Sequence, residues 1–116
     1  MLELVEAVRA FLEQRAMPEL KGHTAFHARV SANALGIVAR QLAQGEKAAA
    51  DEHTGLVALL GHDGTLEELN RELCRKIRDG ALGLDTPGFA EHLTETTKAK
   101  VLIDQPTYSG LKQAAR

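Results

Sequence analysis

The sequence predicts an all-α protein, an up-and-down bundle of about five helices in a single domain spanning 1–116. Three observations lead there. Apolar residues recur at three- and four-residue steps along most of the chain, the period of a helix face, and no segment alternates as a strand would. Hydrophobic residues make up 44% but aromatics only 3%. The core is therefore built from Leu, Val, Ile and Ala, which suits helices better than a sandwich or barrel. Finally, proline, glycine and capping residues divide the chain into segments joined by short connections.

Leu4, Val5, Val8, Phe11 and Leu12 form an amphipathic stripe, so the first helix covers about Leu2–Ala16. Pro18 and Gly22 bracket a connection. The second helix follows from Gly22 and is expected to end near Gly45. On it, Phe26, Val30, Ala34, Ile37 and Val38 share one arc, read as the core face. Arg29, Asn33, Gly36 and Arg40 line one flank, beside a seam of Ala25, Ala32, Ala39 and Ala43. A helix with an apolar arc and an alanine seam is expected to be covered on more than one side, as the central helix of a bundle or at a subunit contact.

The third helix is expected over about Glu46–Leu60, with His53, Leu56, Leu59 and Leu60 inward. Gly61–Gly64 is a turn. Thr65 and Glu68 have the spacing of a capping box. Leu66, Leu69, Leu73 and Ile77 define the core face of the fourth helix, and Gly80 caps its end. After a loop over Ala81–Asp85, Asp85 or Thr86 caps the last helix, with Pro87 in its first turn. Pro106 stops it near Gln105, so the stretch Val101–Asp104 is its last turn. The tail 107–116 docks through Tyr108 and Leu111 or frays.

The formal charge of −2, with mixed signs, demands neither nucleic acid nor an anionic membrane. Few aromatics leave no base-stacking platform. The N-terminal residues mix acids with apolar residues, unlike a signal peptide or a membrane span. One cysteine, Cys74, cannot form an internal disulfide. These points give a cytoplasmic protein that binds neither nucleic acid nor membrane.

Candidate chemistry is sparse. His23 and His27 lie one helical turn apart, the spacing of two metal ligands, but TAF between them supplies no general base and a zinc site needs further ligands. The ordinary reading is two surface histidines. Arg29, Asn33 and Arg40 have two readings. Asn33 is a buried amide fixing the register of neighbouring helices. Alternatively the arginines hold a phosphate or carboxylate beside it. The structural reading is favoured. Lys100 lies in line with Phe89, Leu93 and Thr96. It either snorkels outward or joins a polar cluster with Asn33, and Asp104 one turn on can pair with it. Cys74 is expected as a buried, inert thiol. Gly61–Gly64 offers only a His–Asp neighbour pair. No nucleophile elbow, phosphate loop, CxxC or paired-acid motif is present, and no catalytic residue or cofactor is assigned.

AFHARVSANALGIVAR at Ala25–Arg40, LNRELCRKIRDG at Leu69–Gly80 and TKAKVLIDQPTY at Thr97–Tyr108 resemble the DUF6285 family, a small bacterial family of unknown function. The resemblance spans nearly the whole chain, and the first motif is its most specific part. It implies an accessory role beside aminoglycoside-phosphotransferase-like or acyl-CoA dehydrogenase-like proteins, and carries no catalytic residues. Family members tend to close the last motif with asparagine-proline-arginine-tyrosine. This chain has Gln105, Pro106, Thr107 and Tyr108, which weakens a charged site there.

The leading expectation is a non-catalytic helical accessory protein that binds such an enzyme or associates with itself. The alternatives are a binder of small anions using Arg29, Asn33, Arg40 and Lys100, and a cryptic metal protein or enzyme using His23 and His27.

Overall fold

A computed structural model describes residues 1–114 and contains five α-helices and no strand among them. The fold is all-α, as the composition and periodicity predict. The helices are α1 (Leu2–Phe11), α2 (Gly22–Leu60), α3 (Leu66–Arg78), α4 (Phe89–Asp104) and α5 (Gly110–Ala114). The chain forms two compact units, Met1–Gly45 and Glu46–Arg116. No helix of the described residues is long and apolar enough to cross a membrane.

In the N-terminal unit, α1 runs on through one π-helical turn, Leu12–Ala16, and a 3-10 turn, Met17–Glu19. Pro18 lies in the first turn of that short helix, where a missing amide is harmless. Leu20 is extended and Gly22 takes a left-handed φ of +65° to open α2.

The expected break at Gly45 does not occur: α2 is one helix of 39 residues. A lone glycine costs a helix only about 1 kcal/mol relative to alanine. Gln44, Glu46, Lys47 and Ala48 around it are good helix formers, and no proline follows. The Lys47–Asp51 pair at 2.7 Å spans one turn just beyond it.

The two faces of the first half of α2 are exchanged relative to the sequence reading. Phe26, Val30, Ile37 and Val38 are exposed, whereas Ala28, Ala32, Gly36 and Ala39 are buried. Asn33, expected as a buried amide, is exposed. Small residues let a neighbouring chain approach the helix closely. A Cβ on Gly36 would sit 3.4 Å from Cζ of Arg9 on α1 and 3.2 Å from Nη1 of Arg40. On α1 itself, Leu4, Val8 and Phe11 are exposed while Val5 and Leu12 are half-buried.

The C-terminal unit has the larger side chains in its core. Leu56 of α2, Leu69 and Leu73 of α3 and Phe89 of α4 are buried together, with Val57, Leu59, Leu60, Leu66 and Leu82 packed against them. The capping box of α3 is formed: Glu68 N–H donates to Thr65 Oγ1 at 3.1 Å, and Thr65 N–H donates to Glu68 Oε2 at 3.2 Å. The helix ends at Asp79, followed by Gly80 at φ +80°. Its buried stripe is narrower than predicted: Ile77, in the last turn where the chain departs, is exposed, and so is Cys74.

Thr86 holds the loop rather than capping α4. Its hydroxyl accepts from Gly83 N–H at 3.0 Å, and its own N–H donates to Gly83 O at 2.9 Å. Asp85 does not cap it either: α4 begins after Gly88, at φ +84°. It ends at Gln105 before Pro106, as expected. In the tail, Tyr108 is exposed and Leu111 half-buried; Ala115 and Arg116 lie outside the described residues.

Candidate functional site

The polar residues singled out from the sequence lie mostly in solvent. Arg29 and Asn33 are exposed on α2, and Arg40, half-buried, lays its guanidinium along Gly36 beside Arg9. Arg9 is itself paired with Glu13 at 3.1 Å. Lys100 is exposed, with Nζ 3.5 Å from Glu52 Oε1 on α2, and Asp104 is exposed one turn further along α4. His23 and His27 are both exposed; the His27 ring meets Phe26 edge-on at 5.7 Å. Among the described residues no group of three or more His, Cys, Asp or Glu could hold a metal ion.

A concavity lies within the C-terminal unit, a groove of about 720 Å³ between the second half of α2 and α4. Two cross-helix relationships set its geometry: Gly55 meets His92, and Glu52, nearly one turn earlier in α2, meets Lys100, two turns later in α4. The two segments therefore run antiparallel. A Cβ on Gly55 would lie 2.5 Å from His92 Nδ1, so the imidazole occupies the space that glycine leaves against the backbone of α2. Ala48, Ala58, Leu59 and Leu102 supply apolar lining. Asp51, Glu52, Glu91 and Glu95 border it with four carboxylates against the single ammonium of Lys98. Three of the four are paired with lysines, Asp51 with Lys47 at 2.7 Å, Glu52 with Lys100 at 3.5 Å and Glu95 with Lys98 at 3.5 Å, so the rim is close to neutral. Arg29, Asn33, Arg40, Lys100 and Asp104 are not among its lining residues.

A second cluster ties the α2–α3 turn. His53 Nε2–H is shared between Asp63 Oδ1 at 2.9 Å and Gly64 O at 3.0 Å, and Gly64 N–H donates to the same Asp63 oxygen at 2.7 Å. His62 uses both ring nitrogens. Nδ1 lies 3.0 Å from Asp63 O, and Nε2 lies 2.9 Å from each oxygen of Glu72. Both partners are acceptors, so the arrangement is complete only for the doubly protonated ring. The Asp63 carbonyl and then Glu72 accordingly raise the His62 pKa. Gly64 N–H and then His53 hold Asp63 below its usual range, and His62, with help from Lys76, does the same for Glu72. Each bond has an evident structural purpose, holding the turn between two helices.

The sequence reading missed the groove and the His62–Glu72 pair. Gly55 was its one visible sign, a glycine inside a helical pattern that does not end the helix.

Residues 18–108 match the family model of a domain of unknown function (DUF6285), and the chain belongs to that family. No curated protein and no solved structure matches it.

Proposed function

We propose that this DUF6285 chain is a non-catalytic helical interaction protein that docks through its N-terminal unit. The observation that carries the reading is the apolar surface left exposed there. Met1, Leu4, Val8 and Phe11 on the α1 side and Phe26, Val30, Ile37, Val38 and Leu42 on α2 all face solvent substantially. Exposed leucines scattered singly are normal, but runs of them along helices mark interaction surfaces. Arg29 and Arg40 flank the α2 run, the composition of an apolar contact with a polar rim. The family resemblance supplies the partner class, a phosphotransferase-like or acyl-CoA dehydrogenase-like enzyme.

The test is a photo-crosslinking amino acid placed at Val30 and, as control, at exposed Thr94 on α4, in the native host. Capture of such an enzyme from position 30 and not from 94 is expected. Equal capture from both positions, or none from either, overturns the partner assignment.

The groove between α2 and α4 supports a second reading, a small-ligand site. Its volume is within the usual range of ligand pockets, about 300–1,000 Å³. Its apolar floor of Ala48, Ala58, Leu59 and Leu102 with a rim of paired charges suits a small, largely apolar molecule with a polar end. An anion-binding role for Arg29, Asn33, Arg40 and Lys100 is the weaker alternative, since Arg29 and Lys100 are exposed and screened while the guanidinium of half-buried Arg40 lies along Gly36. Titration calorimetry with inorganic phosphate against a medium-chain alkylamine separates the two.

A further inference from the structure

We propose that the groove between α2 and α4 binds a primary amine carried on a hydrocarbon body, with the ammonium at the end formed by Glu91 and His92. This rests on the small-ligand reading of the groove and names its ligand class.

The antiparallel helices meet at Gly55 and His92, so the groove has two unlike ends. One sets Gly88 and Glu91 of α4 against Ala58 and Leu59 of α2. The other sets Ala99 and Leu102 of α4 against Ala48 of α2. Glu91 and Leu102 are about 16 Å apart along the axis of α4, at 1.5 Å per residue.

The polar groups gather at the first end. Asp51, Glu52 and Glu95 each have a lysine partner. Among the described residues Glu91 alone of the four carboxylates has neither an ion pair nor a side-chain hydrogen bond. It lies in the first turn of α4, which has no side-chain cap, and it does not reach back to supply one. The start of α4 at Phe89 lies beside the end of α2 at Leu60, so the positive end of one helix dipole offsets the negative end of the other. The Glu91 carboxylate then sets the sign of the local field.

His92 supplies a second acceptor. Nδ1 and Cε1 of the half-buried ring fill the space at Gly55, and Nε2 lies farther from the glycine. Neither ring nitrogen has a hydrogen-bond partner among the described residues, and neither is closed off from solvent. Thr96 Oγ1 donates its proton to the His92 carbonyl at 2.9 Å, so towards a ligand it is an acceptor only. A carboxylate, an imidazole lone pair and a hydroxyl oxygen match an ammonium, which has three donors and no acceptor. A carboxylate or phosphate would instead meet Glu91 as a like charge and find one donor, the His92 N–H. Beyond these groups the floor is alanine and leucine, which takes the hydrocarbon body.

Titration calorimetry on the full chain with butylamine, hexylamine and octylamine tests the assignment, with hexanol and hexanoate as head-group controls. Affinity should rise by up to about fourfold for each CH₂ added to the amine. Hexylamine should bind about tenfold tighter than hexanol, the difference a charge-assisted hydrogen bond makes, and hexanoate weakest. Glu91→Gln keeps the shape of an exposed side chain and removes its charge. It should lower hexylamine affinity about tenfold and leave hexanol unchanged. Ala58→Phe, at another exposed position, fills the groove and should abolish binding with unchanged helical circular dichroism. Equal binding of hexylamine and hexanol, or of hexylamine by Glu91→Gln and wild type, overturns the amine assignment while the small-ligand reading of the groove stands. No binding of any of these compounds, or undiminished binding by Ala58→Phe, overturns both.

Discussion

His62 grips the α2–α3 turn at two points, its Nδ1 at the Asp63 carbonyl and its Nε2 on the Glu72 carboxylate of α3. The ring makes both bonds as donor only when protonated, and this gives the turn a definite pH response. The His62 pKa is raised in the folded chain, so its contribution is fully present below the unfolded value of 6.5 and is lost as pH rises through the folded value. The pKa values of Glu72 and Asp63 are lowered, so theirs is present above 4.5 and 3.8 and is lost as pH falls through their folded values. His62→Gln should therefore destabilise the chain most between about pH 4.5 and 6.5. Urea melts of both proteins across pH 4–9 check this; a constant difference would refute it.

Two glycines inside α2 should answer oppositely to alanine. At Gly45 the new methyl group meets only the end of the Gln41 side chain, which can swing aside. Gly45→Ala should stabilise by up to about 1 kcal/mol from helix propensity. At Gly55 it meets the His92 ring, and the ring must leave its place. Gly55→Ala should destabilise by about 1–2 kcal/mol, overpacking exceeding the propensity gain. Thermal melts of the two variants side by side give both signs.

The capping box of α3 stabilises its helix independently of any charge on histidine. Thr65→Ala removes the acceptor for Glu68 N–H and should cost about 1 kcal/mol. Thr65→Ser, which keeps the acceptor, should recover most of the loss in denaturant titration.

Cys74 is exposed on α3. Ellman's reagent should titrate one thiol per chain in the native protein, at a rate close to that after unfolding. A thiol that reacts only in denaturant would restore the buried reading.

Signals confined to a few consecutive residues are legible in the sequence alone. Thr65 with Glu68 forms its box, Pro106 ends α4, and Leu56, Leu59 and Leu60 face inward as spaced. What failed depended on tertiary context. A 3.6-residue period finds the two faces of α2 but does not say which one is buried. Ordinarily the larger side chains are, and here Ala32 and Ala39 are buried while Phe26 and Val30 are not. Gly45 resembles a helix end, yet the helix formers on both sides of it carry α2 through. The His62–Glu72 and Gly55–His92 relationships join residues 10 and 37 positions apart, beyond any local pattern. For the same reason Arg29, Asn33 and Arg40 stand out in the sequence as a group, while the carboxylate-bordered groove shows there only as the unexplained glycine at Gly55.

The fully buried residues in the first half of α2 are Ala28, Ala32, Gly36 and Ala39, and Leu35, on the same side, is half-buried. Burying a methyl group yields far less free energy than burying a leucine, so the hydrophobic anchor of this stretch in its own chain is small beside the leucine core of the C-terminal unit. A partner that covers Phe26, Val30 and Ile37 makes part of the stability of the N-terminal unit subject to mass action. Adding it should slow amide exchange in residues 22–44 well before it affects the leucine core around Leu56 and Leu69.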